Sequence, residues 1–287
     1  MEEQKIWVCG ARGQIGQAVN DVVDKLEFEM LDTDVDDLDV TDTDEVLRFG
    51  EMNRPDIIIN CSGMTDISSC EENPSQAFKV NALGARNLAI VAAKMQAKMV
   101  QLSTDDVFDG KSTEPYTEFD ITNPGTVYGK SKLAGENYVK EFTTKHFIVR
   151  STWVYGKGQN FINGFLKKVD AGEQLSIASD QFGSPTSANE LARFLLHLVH
   201  TSEYGTYHAT NKGVCSRYAF AQEILKMTGK TASMQPVPTV MSDFSKVRPA
   251  YAVLDNFIMS MVPIYDFPDW QDSLREYLEE RGLYHAE

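Results

Sequence analysis

An α/β fold built on a parallel sheet is predicted by three observations. Short continuous apolar runs recur through the first half of the chain, among them Lys5-Ile6-Trp7-Val8-Cys9, Ile57-Ile58-Ile59-Asn60 and Phe147-Ile148-Val149-Arg150. Segments of helical period separate them, and strands that are apolar on both faces belong to sheets covered by helices on both sides. The first run leads directly into Gly10-Ala11-Arg12-Gly13-Gln14-Ile15-Gly16 and an amphipathic stretch to Lys25. That order of strand, glycine turn and helix is the opening unit of a dinucleotide-binding fold.

Each element follows in order. Glycines at 10, 13 and 16 form a G-x-x-G-x-x-G turn. Without side chains there, a pyrophosphate can approach the backbone N–H groups and the helix N-terminus. An acidic residue is then expected about twenty residues beyond the first glycine, to bind the adenosine ribose hydroxyls. Asp32 meets this expectation after Phe28-Glu29-Met30-Leu31, at the head of an Asp-rich region that runs to Asp44. A helix is predicted from about Pro74 to Ala93, a strand over Met99 to Leu102, and a helix around Tyr128.

From about Phe161 the order loosens. Helices over Ala188 to His200 and Arg217 to Met227 alternate with short strands near Leu175-Ser176-Ile177 and Tyr207-His208-Ala209. The expected architecture is a Rossmann-like doubly wound parallel sheet with a small mixed α/β carboxyl-terminal substrate lobe closing over the sheet's carboxyl edge. Residues 1–156 are assigned mainly to the dinucleotide-binding domain. Residues 157–287 are assigned mainly to the lobe, with some segments returning to the sheet.

The chemistry is concentrated in Thr104, Tyr128 and Lys132. Tyr128-Gly129-Lys130-Ser131-Lys132 is a Y-x-x-x-K pair, and residues four apart share a helix face, so the ammonium can sit beside the phenol and favour its ionised form. A phenol normally titrates near pH 10, and a poised acid or base must come closer to neutrality. Thr104 ends the run Met99-Val100-Gln101-Leu102, which places its hydroxyl at a strand's carboxyl end, where open α/β sheets bind ligands.

Composition sets limits. The chain has 287 residues and a formal net charge of −15, which disfavours long-range attraction to nucleic acid or anionic lipid. An anionic ligand therefore needs local donors. No apolar run approaches the roughly 18 residues of a membrane helix, and the start, Met1-Glu2-Glu3-Gln4-Lys5, lacks a signal peptide's pattern, so a cytoplasmic location is expected. The four cysteines, Cys9, Cys61, Cys70 and Cys215, show no C-x-x-C spacing and read as buried reduced thiols. His197 and His200 share a helical face without a completing ligand set, and no metal is expected.

Taken together, Gly10 to Gly16, Asn60-Cys61-Ser62-Gly63-Met64-Thr65, Ser103-Thr104-Asp105 and Tyr128/Lys132 with Leu133-Ala134-Gly135-Glu136 resemble a known family. Arg150-Ser151-Thr152-Trp153-Val154-Tyr155-Gly156 and Asp180-Gln181-Phe182-Gly183-Ser184-Pro185-Thr186 complete the series. The chain is similar, from about Lys5 to Leu278, to the dTDP-4-dehydrorhamnose reductases of the extended short-chain dehydrogenase/reductase superfamily. The Trp153 and Asp180 to Thr186 segments are specific to that branch.

The resemblance implies reduction of the C4 ketone of dTDP-4-dehydro-L-rhamnose by NADPH or NADH. Tyr128 would protonate the alkoxide, Lys132 would lower the Tyr128 pKa and hold the nicotinamide ribose, and Thr104 would polarise the ketone. Gly13, Gln14, Ile15, Asp32, Asp39, Val40, Gly63, Met64, Thr65 and Leu102 match cofactor positions. Thr104, Asp105 and Trp153 match substrate positions. Asp32 suits an NADH ribose, whereas Arg12 in the glycine turn can reach a 2′-phosphate, so both cofactors are expected to serve. The resemblance leaves room for a homodimer.

Two departures from the family pattern stand out. Asp106 replaces the usual Tyr after Thr-Asp and resembles the acidic pair of nucleotide-sugar dehydratases. In Arg248-Pro249-Ala250-Tyr251-Ala252-Val253-Leu254, Tyr251 and Ala252 replace an Asn and a Ser. The alternatives are therefore a reductase or dehydratase of another nucleotide-linked keto sugar, and a regulatory subunit resembling the methionine adenosyltransferase β subunit.

Overall fold

The computed structural model describes residues 4–241 and 250–285. Six parallel strands form the main sheet: β1 (Gln4–Cys9), β2 (Phe28–Thr33), β3 (Ile57–Asn60), β4 (Lys98–Thr104), β5 (His146–Ser151) and β6 (Gly205–His208), in the order β6-β5-β4-β3-β1-β2. The chain leaves β1 toward β2 and then crosses back to β3 on the other side. That reversal opens a crevice at the carboxyl ends of β1 and β3, where sheets of this kind bind ligands.

Apolar residues on both sides of each strand account for the two-faced sheet. Ile6, Val8, Ile59 and Phe147 face one layer, packing with Leu191, Phe194 and Leu195 of the helix Ala188–Val199. Trp7, Ile58, Met99 and Ile148 face the other, against Leu88, Ala89 and Ala92 of the helix Ala85–Met95. The lobe has its own core, in which Phe165, Ile177, Phe220, Ile224, Trp270 and Leu274 meet.

The strand expected near Tyr207 belongs to the main sheet as β6, pairing with β5 through Tyr207↔Val149. The strand near Leu175 runs as Leu175–Ala178 and pairs with Met234–Val237 in the lobe. The single helix expected from about Pro74 to Ala93 is three segments: Pro74–Phe78, a π-helical turn Lys79–Gly84, and Ala85–Met95. The buried Asn81 lies in the π-helical turn, and its side chain bonds to two neighbouring elements. No helix among the described residues is long and apolar enough to cross a membrane.

Candidate active site

The glycine turn is pinned to the end of β2, because the N–H groups of Gly10 and Ala11 donate to the Thr33 carbonyl at 2.8 and 3.1 Å. Gly10 has φ +76°, and a Cβ there would stand 2.8 Å from the Ser62 nitrogen. A Cβ on Gly16 would lie 2.3 Å from the Gly10 carbonyl oxygen. A larger residue at position 10 collides with the Cys61-Ser62 backbone after β3, and one at position 16 pushes the helix Gln14–Val22 away from the turn. Gly13 is that helix's N-cap and brings no side-chain cap, so first-turn N–H groups remain for an anion at the crevice.

Across the crevice, Asn81 ties two further elements together. Its Oδ1 accepts from the Met64 N–H at 2.8 Å, and its Nδ2 donates to the Met64 carbonyl and to Ser131 Oγ, each at 2.9 Å. The loop Gly63-Met64-Thr65 is thereby locked to the helix Val127–Phe142, which starts at a Thr126 cap accepting from the Gly129 N–H. Nothing in the local pattern around Asn81 signals this role beyond a polar residue inside an apolar helical run.

Tyr128 and Lys132 are both buried on that helix. Burial pushes the Lys132 ammonium down to about 8, with the charge of Glu136 opposing the shift first and Cys61 second. Burial pushes the Cys61 thiol up to about 12 despite the nearby lysine. Cys61 is only partly buried, unlike Cys9, Cys70 and Cys215, and all four thiols are free. Thr104, at the end of β4, donates its hydroxyl proton to Asp105 Oδ1 at 3.1 Å and accepts from the Asp106 N–H at 3.2 Å.

Trp153 adopts φ +47°, a conformation that costs a bulky residue energy unless its surroundings impose it. Its ring lies flat against Gly183, where a Cβ would stand 2.5 Å from the indole. The lobe also reaches back over the glycine turn, since Gln14 Nε2 donates to the Gln159 carbonyl at 3.0 Å.

Between these elements lies a cavity of about 740 Å³. It brings together Gly13, Gln14, Ile15, Gly63, Thr65, Leu102, Thr104, Asp105, Tyr128, Lys132 and Trp153. The other expected positions lie outside its walls. Gly10 and Gly16 shape the turn from below, Met64 is held by Asn81, and Val40 is buried against Gly84. Asp32 is exposed on β2, and Asp39 accepts from the Thr41 N–H at 2.8 Å.

Several other features bear on the expected site. Asp106 is buried and does not line the cavity. Arg12 is held at 2.7 Å by each of Asp36 and Asp37, so its guanidinium belongs to the acidic loop after β2. Tyr251-Ala252 pairs beside Phe182-Gly183, behind Trp153, while Arg248 and Pro249 lie outside the described residues. The cavity also uses Ser62, Gln181 and Arg217, of which Arg217 carries no motif of its own. Among the described residues no group of three or more His, Cys, Asp or Glu is arranged to hold a metal ion.

Comparison with known proteins agrees with this geometry. Residues 4–282 match the family described as the RmlD substrate binding domain. The spore coat polysaccharide biosynthesis protein SpsK of Bacillus subtilis is 35% identical over 97% of this chain and 98% of its own. A dTDP-4-dehydrorhamnose reductase structure from Clostridium acetobutylicum superposes with a TM-score of 0.95 at 40% identity, covering 97% of this chain and 100% of the other. One from Bacillus anthracis, in complex with NADP, gives 0.94 at 35% identity over 97% and 99%. With the glycine turn, the Tyr128/Lys132 pair and the Trp153 wall all in one cavity, the chain belongs to the dTDP-4-dehydrorhamnose reductase family of oxidoreductases in nucleotide-sugar biosynthesis.

Proposed function

We propose that the chain reduces the C4 ketone of dTDP-4-dehydro-L-rhamnose to dTDP-L-rhamnose in the cytoplasm, with NADPH or NADH. The observation that carries this reading is that Thr104, Tyr128 and Lys132 line the same cavity as the glycine turn and Trp153. The glycine turn, where Gly13 lines the cavity and the helix Gln14–Val22 starts without a side-chain cap, suits a dinucleotide's diphosphate. Asp32, Asp39, Val40, Met64 and Leu102 complete that side. When bound, the reduced nicotinamide supplies the hydride.

The remaining steps belong to the protein. Thr104 rotates its hydroxyl from Asp105 toward the ketone oxygen and polarises it. Tyr128 gives its proton to that oxygen as negative charge develops, and the Lys132 ammonium stabilises the phenolate left behind. Trp153 and Asp105 hold the sugar. Asp106, buried away from the cavity, has no access to a sugar hydroxyl, which favours simple reduction over elimination of water. We assign the cofactor to residues 1–156 and the sugar to the lobe, with 188–208 returning to the sheet.

Loss of reduced-nicotinamide absorbance across a panel of nucleotide-linked 4-keto sugars tests this reading. dTDP-4-dehydrorhamnose is expected to be consumed at one cofactor per sugar, and dTDP-glucose with NAD⁺ to give no 4-keto-6-deoxy product. Formation of that product overturns the reductase assignment. Recovery of a synthetase on pull-down, with no sugar turned over, supports the regulatory reading.

The reduction should also be pH-dependent through Lys132. The lysine is charged below about 8 and neutral above it, so the reduction rate is full below that pH and falls as pH rises through it. In Lys132→Arg the guanidinium stays charged, and the alkaline fall should move to higher pH. An unmoved limb in that variant assigns the titration to another group.

Cofactor choice turns on the loop that holds Arg12. Asp36→Asn with Asp37→Asn releases the guanidinium and removes two negative charges, so the NADPH-to-NADH ratio of kcat/KM is expected to rise by about tenfold. Arg12→Ala should lower it. A ratio unchanged in both variants places this loop away from the adenosine ribose.

A further inference from the structure

Arg217 opens the helix Arg217–Thr228 and lines the cavity from the lobe. Its guanidinium carbon lies 3.5 Å from the centre of the Trp153 ring and 5.1 Å from that of Phe161. Its backbone N–H donates to the Gln181 carbonyl at 3.1 Å. A guanidinium held by its faces keeps its N–H edges in plane, and such edges match pairs of phosphate oxygens.

Charge sharpens the case. Among the described residues lining the cavity, Lys132 and Arg217 are the cations, while Asp66 and Asp105 are carboxylates. The chain as a whole carries −15. A dianionic substrate entering this field needs a local cation, and Lys132 is already assigned to Tyr128.

We propose that Arg217 is the receptor for the diphosphate linking nucleoside and sugar in the substrate, a role that rests on the nucleotide-sugar reading above. The cofactor's own diphosphate is met by backbone N–H groups at the glycine turn, on the sheet side. The indole that packs against the Arg217 guanidinium is the one proposed to hold the sugar. The diphosphate therefore sits beside the sugar, in the order the substrate's covalent structure demands.

The competing role for Arg217 is mechanical: it only props Trp153 in its positive-φ conformation. Calorimetric titration of dTDP and of thymidine into the full chain with NADP⁺ present separates the two. Arg217→Gln is expected to weaken dTDP about 10- to 100-fold, the effect of losing a charge-assisted pair of hydrogen bonds. Thymidine affinity and the KM for NADPH should stay at wild-type values. Arg217→Lys keeps the charge and should recover part of the loss. Arg217→Met keeps the packing stem and should resemble Arg217→Gln in affinity while holding a wild-type unfolding temperature.

Unchanged dTDP affinity in Arg217→Gln overturns the proposal, as do equal losses for dTDP and thymidine. If the wild-type chain binds no dTDP, the nucleotide-sugar reading itself falls.

Discussion

Tyr128→Phe is expected to lower turnover by about a hundredfold to ten-thousandfold while leaving folding and cofactor binding close to wild type. The phenol is buried at the start of the helix Val127–Phe142 and lines the cavity beside Lys132 and Thr104. Removing one oxygen takes away the proposed proton donor and disturbs little of the packing against Ile67, Cys70 and Ala77. Steady-state turnover together with NADPH titration checks both halves. Near-normal turnover in the variant removes Tyr128 from the proton-donor role.

The second large effect concerns stability. Glu136, fully buried one turn beyond Lys132, accepts from Arg150 Nε and Nη2 at 2.9 and 2.7 Å and from Ser103 Oγ at 2.6 Å. Burial pushes its carboxyl up, but the hydrogen bonds and charge of Arg150, with Ser103, more than offset this and hold it below the usual range. Glu136→Ala strands a guanidinium in the core and should cost about 3–5 kcal/mol, enough to threaten the fold. Pairing Glu136→Leu with Arg150→Met removes both charges and should recover most of that loss. Urea unfolding measures each variant, and a cost below about 1 kcal/mol for Glu136→Ala shows that water replaces the carboxylate.

The same pair reaches the chemistry. Glu136 opposes the downward shift of Lys132. Glu136→Gln should therefore move the alkaline fall in activity to lower pH. The carboxylate's own contribution to stability is present above its unfolded pKa and is lost as pH falls through its depressed folded value.

Much of this was legible in the chain because it depends on neighbours in sequence. The G-x-x-G-x-x-G turn follows directly on β1, and Gly16 is required by its contacts with Gly10 and Ala11 within that turn. Tyr128 and Lys132 face one cavity because four residues make about one turn of helix. Strands apolar on both faces announced a sheet covered twice. Trp153 was reached through the resemblance, since its residue type alone suits a core aromatic equally well.

What stayed hidden joins residues far apart. Asn81 meets Ser131 across 50 residues, and Gln14 meets Gln159 across 145. The π-helical turn, the capture of Arg12 by Asp36 and Asp37, and the stacking of Arg217 on Trp153 are decided the same way.

By itself the sequence determined the two-faced parallel sheet, the glycine turn and the Tyr128/Lys132 pair, because backbone sterics and periodicity act over a few residues. Only the tertiary structure decided which charges meet, that Asp106 is buried outside the cavity, and that Arg217 stands inside it. Burial, electrostatic pairing and cavity shape are set by chain segments that become neighbours only on folding.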